Sequence, residues 1–280
     1  MITLIEIIKR SADYLAQRGI ESPRPAAEEV IADALGMKRL DLYLQFERPL
    51  NENELPILRT AIARRAKHEP TAYIAGRVTF AGIQIKVNQS VLIPRPETEI
   101  MVETIAQTLQ GLPLEDKILW DMCCGSGCIG LSIKARFPQL PVFLSDMSPT
   151  ALKAAQRNAK DNAIEDVQFK EGDLFAPFVN EKCDFFVCNP PYVTEEEFTQ
   201  LSPEVRDWEP KTALVSGPTG LEYYARIAAQ LRTHLKPGGL AWLEMGTGQG
   251  LSVHALFEAQ GWQCQIKPDW SGHDRFCLLS

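Results

Sequence analysis

Residues 117–130 read KILWDMCCGSGCIG. The apolar first half predicts a buried β-strand, and the helical pattern after the loop completes a strand–loop–helix unit. The spacing Gly125-x-Gly127-x-x-Gly130 is typical of loops that let a ligand approach the backbone, because glycine has no side chain to block it. In this context the loop favours a cofactor that contains adenosine over a tight turn that only packs the helix on the strand.

Acidic residues surround this loop. Asp146 lies 19 residues after Gly127, at the end of the next predicted strand, where a carboxylate would hold ribose hydroxyls. Asp121 precedes the loop, and Asp173 follows the third predicted strand. These acids suit a positively charged, phosphate-free ligand better than a pyrophosphate. They favour S-adenosyl-L-methionine, and an NAD-dependent oxidoreductase stays the alternative.

The first part of the chain is predicted to be helical. Residues 1–75 carry apolar side chains at three- and four-residue steps, which predicts four helices. The first ends before Gly19, the second runs from Ser22 to about Gly36, the third lies near residues 38–46 and the fourth covers residues 51–68. Residues 76–96 alternate around Ala81-Gly82 and predict a β-hairpin linker.

The remainder, residues 97–280, alternates between helical patterns and short apolar strands. This order predicts an α/β domain with a mostly parallel, Rossmann-like sheet and ligands at the carboxyl ends of its strands. Seven strands are predicted, at 117–123, 141–146, 167–173, 183–189, 240–245, 264–269 and 275–280.

The charge distribution argues against a polynucleotide substrate. The 29 basic and 36 acidic residues give a net charge of −7, and residues 1–75 carry 11 of each, so the whole acidic excess lies in residues 76–280. Nucleic-acid binding depends on the attraction of phosphates to basic groups, which an acidic domain does not supply.

Other classes of protein are disfavoured by what the sequence lacks. No apolar run reaches the ~20 residues of a membrane span, and the first residues do not have the pattern of a secretion signal, so we expect a cytoplasmic protein. The seven cysteines form no CxxC pair and the four histidines lie far apart, so we expect free thiols and no metal site.

The fourth predicted strand runs directly into Asn189-Pro190-Pro191-Tyr192. Asn-Pro often only ends a strand, but two prolines stiffen this segment at the edge where α/β enzymes place their chemistry. The Asn189 side-chain oxygen and the Pro190 carbonyl can accept two N–H bonds, and the Tyr192 ring offers a stacking surface. These groups suit a planar nitrogen substrate, either an amide or an exocyclic amine.

Such a nitrogen is a poor nucleophile because its lone pair is delocalised. Two acceptors that hold its hydrogens favour pyramidalisation and direct the lone pair at a sulfonium methyl group. Positioning of this kind can supply as much as ~7–11 kcal/mol of the barrier. A dehydrogenase has no use for this element, so the pattern favours a methyltransferase with Asn189, Pro190 and Tyr192 as catalytic residues.

Segments along nearly the whole chain carry a resemblance to a known family. They are residues 70–76, 91–99, 171–175, 189–192, 209–214, 217–221, 243–250 and 269–275. Together they resemble the peptide chain release factor glutamine methyltransferases, the HemK/PrmC family. The PRPETE stretch at 94–99, combined with the helical domain, is much more specific than the element at 189–192, which adenine-methylating enzymes share.

The resemblance implies a class I methyltransferase domain and methyl transfer from S-adenosyl-L-methionine to the glutamine side-chain nitrogen in the Gly-Gly-Gln motif of class 1 release factors. The helical domain would help dock this partner; we expect a monomer with no direct need for nucleic acid. The implied cofactor-binding residues are Cys123, Cys124, Gly125, Ser126, Gly127, Asp146, Asp173, Leu174 and Asn189. The implied substrate-binding residues are Asn189, Pro190, Pro191 and Tyr192.

One position departs from the family. Its members usually have Gly-Thr where this chain has Cys123-Cys124. We expect a cysteine at the first glycine position to take ordinary backbone angles.

Two other functions stay open. An adenine N6-methyltransferase would hold an exocyclic amine with the same acceptors, but it must extrude a base from a polyanion, and the catalytic part of this chain is acidic. A non-catalytic binding module would keep the fold without the chemistry, and the intact element at 189–192 argues against it.

Overall fold

The computed structural model describes residues 2–280. The helices are α1 (Leu4–Ala16), α2 (Pro23–Ala34), α3 (Arg39–Leu44), α4 (Glu54–Arg65), α5 (Thr71–Ala75), α6 (Pro96–Gln110), α7 (Cys128–Arg136), α8 (Pro149–Asp161), α9 (Glu195–Gln200), α10 (Pro203–Arg206), α11 (Lys211–Leu214), α12 (Glu222–His234) and α13 (Gly250–Glu258). The strands are β1 (Arg77–Phe80), β2 (Ile83–Lys86), β3 (Leu119–Met122), β4 (Val142–Asp146), β5 (Val167–Glu171), β6 (Cys183–Cys188), β7 (Val193–Thr194), β8 (Val215–Gly217), β9 (Leu235–Glu244), β10 (Cys264–Pro268) and β11 (Asp274–Leu279).

The chain forms two compact units. One contains the residues up to Arg77 together with Ser202–Trp208, and the other contains Val78–Leu201 and Glu209–Ser280. Residues 202–208 belong to the first unit although they follow α4 by more than 130 residues. The buried Arg65 guanidinium bonds to Glu204 there.

The four predicted helices of the first unit are present as α1 to α4. Thr3 caps α1, and its backbone N–H donates to the Glu6 carboxylate at 2.9 Å in a capping box. Leu4, Ile8 and Leu15 on one face of α1 are buried. The unpredicted α5 spans only five residues, too few to show a helical period.

The second unit contains the predicted seven-stranded sheet, in the order β10-β11-β9-β6-β3-β4-β5. The five strands from β9 to β5 in this order run parallel, and β11 runs antiparallel to β9 and β10. The predicted Rossmann-like α/β fold is therefore confirmed. Met122 at the end of β3 pairs with Ser145 of β4 and Cys188 of β6, so the carboxyl ends of three strands meet at one edge.

One predicted strand is longer than expected. β9 begins at Leu235, whereas the sequence placed its start at residue 240. Gly238 and Gly239 interrupt the apolar pattern, which hides the first half of the strand. The short parallel pair β7 and β8 was not predicted; β7 starts directly after Tyr192 and contacts β8 through Val193 and Val215.

The predicted hairpin is formed by β1 and β2. Ala81 and Gly82 between them both have positive φ, at 45° and 92°, as a two-residue hairpin turn of type I′ requires. Two asparagines of α8 hold β2. Asn158 Oδ1 accepts from the Lys86 N–H at 2.8 Å, and Asn162 Nδ2 donates to the Gln84 carbonyl at 2.7 Å.

Within residues 2–280, none of the helices has the length and apolar character that crossing a membrane requires. All seven cysteines are free thiols; Cys123 and Cys264 are partly exposed, and the other five are buried.

Candidate active site

A cleft opens at the carboxyl edge of the sheet in the second unit. Its walls come from the ends of β3, β4 and β6 and from residues within 89–98 and 210–213. The predicted residues that line it are Cys123, Cys124, Gly125, Ser126, Asp146, Asp173, Leu174, Asn189 and Pro191. The predicted residues Gly127, Pro190 and Tyr192 are not part of this lining.

The two glycines of the loop serve different needs. Gly125 has φ of 53°, and a β-carbon added there would meet no protein atom within 4 Å, so this position faces the open cleft. Gly127 has φ of 79°, and a β-carbon there would lie 2.8 Å from Leu144 Cδ2. Gly125 therefore leaves room for a ligand, and Gly127 lets α7 begin close against β4.

Cys123 has φ of 57°, so the expectation of ordinary backbone angles is wrong. The left-handed conformation costs a residue with a β-carbon roughly 1–2 kcal/mol. Hydrogen bonds of the next residue hold the loop in this shape: the Cys124 N–H donates to the Ser145 carbonyl at 3.0 Å, and the Cys124 carbonyl accepts from the Gly127 N–H at 2.7 Å. The loop thus keeps the geometry of a glycine at a position that holds cysteine.

Asp146 ties the glycine loop to the end of β4. Its Oδ2 accepts from the Gly125 N–H and its Oδ1 from the Ser148 N–H, both at 2.9 Å. Burial raises the pKa of Asp146, and the hydrogen bonds from Ser148 and Gly125 oppose that rise. Each carboxylate oxygen has a further lone pair that can accept a hydrogen bond. Because the Asp146 side chain lines the cleft, a ligand hydroxyl there can donate to it.

Asp121 lies fully buried under the same loop. Its Oδ2 accepts from the Gly130 N–H at 2.8 Å, whereas its Oδ1 has no hydrogen-bond partner among the described residues. Burial raises the pKa of Asp121 from its ordinary value of 3.8 to about 7, with a smaller contribution from the Asp146 charge. A cation placed above the loop would stabilise the ionised form.

We expect Asp121 to make the folded protein less stable as the pH rises from 5 to 7. The unfolded chain ionises this group near pH 4, while the folded chain keeps it protonated up to about pH 7, so its stabilising effect is lost over that interval. The free energy of unfolding should fall by up to about 1.4 kcal/mol per pH unit in this range. Urea unfolding at pH 5 and pH 7 should show a smaller pH dependence for Asp121→Asn than for the native chain. An equal dependence in both proteins would mean that Asp121 titrates normally.

The Asn189-Pro190-Pro191-Tyr192 element forms a corner after β6, which we call the proline corner. Asn189 and Pro191 line the cleft, and Pro190 is buried. Gln249 holds the far end of the corner: its Nε2 donates to the Tyr192 carbonyl at 3.0 Å, and its Oε1 accepts from the Gly246 N–H at 2.9 Å. The corner is therefore fixed by the hydrogen bond from the Gln249 side chain to its backbone as well as by its two prolines.

The Tyr192 side chain is half-buried and packs against the core of the second unit. Burial raises the pKa of its phenol to about 12, with a smaller effect of the Glu244 charge, so the group is neutral at physiological pH. Its predicted contact with a substrate stays a prediction.

Several lining residues were not among the predicted site residues. They are Arg95, Thr98, Met147, Pro210, Thr212 and Tyr223, with their neighbours in the chain. Arg95 pairs with the buried Glu209 carboxylate at 2.6 Å, and the same carboxylate accepts from the Ile93 N–H at 3.0 Å. This pair joins the segments 91–99 and 209–214 that carried the family resemblance, and that resemblance was the available signal for both.

The charges of the cleft fit a cationic adenosine cofactor. Among the described lining residues Arg95 is the single Lys or Arg, and Glu209 already neutralises it. Asp146 and Asp173 are acidic, and Asp173 pairs with Arg226 at 2.6 Å. A pyrophosphate would thus find acidic groups without a free cation beside them. A sulfonium with an adenosine finds the open space at Gly125 and the carboxylate at Asp146.

Two family models match the chain. The PrmC N-terminal domain matches residues 6–76, and the methyltransferase small domain matches residues 96–204.

Curated relatives match over nearly the full length. The release factor glutamine methyltransferase of Chlamydia trachomatis serovar D is 42% identical over 274 residues, which cover 98% of this chain and 93% of the relative. The protein of the same name from Geobacter sulfurreducens is 38% identical and covers 98% and 95% of the two chains.

Solved structures share the fold. A methyltransferase from Pyrococcus furiosus aligns with a TM-score of 0.52 at 15% identity, over 71% of this chain and 88% of that one.

Proposed function

Because the chain belongs to the release factor glutamine methyltransferase family, we propose that it transfers a methyl group from S-adenosyl-L-methionine to the side-chain amide nitrogen of the glutamine in the Gly-Gly-Gln motif of class 1 peptide chain release factors. The observation that carries this proposal is the position of Asn189, which lines the same cleft as Gly125 and Asp146. The Asn189 side chain and the glycine loop therefore face the same cleft.

The chain's own residues have distinct roles in this proposal. The loop from Cys123 to Gly127 and the Asp146 carboxylate hold the methionine and ribose parts of the cofactor. Asp173 and Leu174 border its adenine. Residues 189–192 hold the glutamine side chain.

The chemistry follows from the two acceptors of the proline corner. S-adenosyl-L-methionine supplies a methyl group bound to positively charged sulfur. Asn189 Oδ1 and the Pro190 carbonyl accept the two N–H groups of the substrate amide and turn its lone pair toward that methyl group. The N–C bond forms as the S–C bond breaks, and the nitrogen, now cationic, then releases one proton to solvent. Because the proton leaves after methyl transfer, this corner needs no strong base.

The partner, oligomeric state and location form part of the same proposal. The helical unit contributes to docking the release factor, and the enzyme acts as a monomer without nucleic acid. It works in the cytoplasm, where its translation-factor substrate is found.

The decisive measurement is the mass of the tryptic Gly-Gly-Gln peptide from a class 1 release factor. Incubation with this protein and S-adenosyl-L-methionine should add one methyl group to the glutamine side chain, and omission of either should add none. Radiolabelled cofactor with release factor and with DNA in parallel separates the alternatives. Label found only in DNA would establish an adenine methyltransferase instead, and calorimetric binding of NAD without binding of S-adenosyl-L-methionine would establish an oxidoreductase.

A further inference from the structure

Glu244 is a buried carboxyl group for which the proposed reaction has no role. It is the last residue of β9 and is 1% exposed. Its neighbour Leu243 pairs with Cys188 of β6, which places Glu244 beside Asn189 at the sheet edge. The Asn189 side-chain amide lowers the pKa of Glu244, as a group does when it faces a carboxyl as a hydrogen-bond donor.

Two further contacts hold Glu244 in place. Thr98 Oγ1 donates to Glu244 Oε2 at 2.6 Å, and the Tyr224 hydroxyl donates to the Glu244 backbone carbonyl at 2.7 Å. Thr98 is itself buried and belongs to the cleft lining. The carboxyl is therefore fixed relative to the cleft before any substrate arrives.

The chemistry of the contact determines how Asn189 is turned. An amide side chain has a donor end, Nδ2, and an acceptor end, Oδ1, and an ionised carboxylate can only accept. With Nδ2 donating to Glu244, Oδ1 is left for an N–H group in the cleft. We propose that Glu244 is a positioning residue that orients the Asn189 amide with its oxygen toward the substrate nitrogen. This inference rests on the proposed function, because it assigns Oδ1 the role of accepting from the glutamine amide.

The surroundings of Glu244 make this orientation depend on pH. Burial raises the pKa of Glu244 to about 7, although the Thr98 hydrogen bond and the Arg275 charge lower it. In its protonated form the acid can donate to Oδ1 and so permit the amide to flip. The other titratable or charged groups that face Glu244 or its neighbours are Glu97, Cys128, Tyr192, Tyr224, Arg275 and, through Tyr192, Arg95.

Three variants separate positioning from structure. Glu244→Leu removes the acceptor and should lower kcat about tenfold, with little change in S-adenosyl-L-methionine affinity. Loss of a residue that orients a metal-binding side chain has an effect of this size in other enzymes. Glu244→Gln keeps an acceptor and should retain a kcat near that of the native enzyme. The native kcat should rise with pH through about 7, and this step should disappear in Glu244→Gln but persist in Asp121→Asn.

A second readout does not need activity. The Asn189 side-chain NH₂ signals in a proton–nitrogen NMR spectrum should titrate near pH 7 in the native protein and not in Glu244→Gln. If the native enzyme fails to methylate the release factor, the proposed function fails, while the NMR titration still tests the contact. If kcat in Glu244→Leu equals the native value, or if the Asn189 signals do not titrate, Glu244 does not orient Asn189.

Discussion

Asn189→Ala should lower the rate of glutamine methylation about 10²–10³-fold, in line with the loss of one preorganised hydrogen-bonding group in other enzymes. The substitution removes the Oδ1 acceptor and leaves the Pro190 carbonyl as the single acceptor for the substrate amide. With one of its N–H groups unheld, the nitrogen no longer presents its lone pair to the methyl group. In the proposed arrangement the glycine loop and Asp146 supply most of the contacts to S-adenosyl-L-methionine, so its affinity should fall far less than the rate.

Single-turnover kinetics with saturating cofactor, together with calorimetric cofactor affinity, measure the two effects separately. Thermal unfolding should show a native-like transition, since Asn189 is only partly buried and precedes two prolines that keep the corner stiff. An unchanged methylation rate would show that another group holds the nitrogen. If cofactor affinity falls as much as the rate does, Asn189 acts mainly by binding the cofactor and not by holding the substrate amide.

The fold was largely accessible from the sequence because its signals are local. The central strands β3 and β6 are short, mainly apolar runs, and the loop at 123–127 stands between a clear strand and a clear helix. The hairpin at Ala81-Gly82 likewise depends on two adjacent residues. Where the local signal is interrupted, as at Gly238 in β9, the strand bounds were missed.

The supporting contacts of the site were not accessible in this way. Arg95 and Glu209 are 114 residues apart, and Thr98 and Glu244 are 146 apart, so no periodicity or spacing relates them. At Cys123, by contrast, a local preference was available, and it predicted the wrong backbone conformation. Intrinsic preference predicted an ordinary conformation, and the hydrogen bonds of the folded loop override it.

The proline corner is also fixed from outside by Gly220, which lies in the segment 217–221 that carries the family resemblance. A β-carbon on Gly220 would lie 2.5 Å from the Tyr192 carbonyl oxygen and 2.7 Å from Gln249 Nε2. Those two atoms are bonded to each other and hold the corner. Reaching an ordinary contact of 3.4 Å requires a shift of about 0.9 Å, and misplacement of about 1 Å can cost about 10²-fold in rate.

Gly220→Ala should therefore lower methylation by about 10²-fold and destabilise the fold, and Gly238→Ala is its matched control. Gly220 and Gly238 have nearly equal φ, 73° and 75°, but a β-carbon on Gly238 meets no atom within 4 Å. Both variants incur the left-handed strain of roughly 1–2 kcal/mol, and only Gly220→Ala adds an overlap worth about 1–3 kcal/mol. Urea unfolding and methylation rates of the two variants should thus differ, with Gly238→Ala near native activity. Equal losses in both would assign the effect to backbone strain, and the placement of the Tyr192 carbonyl would then have no part in catalysis.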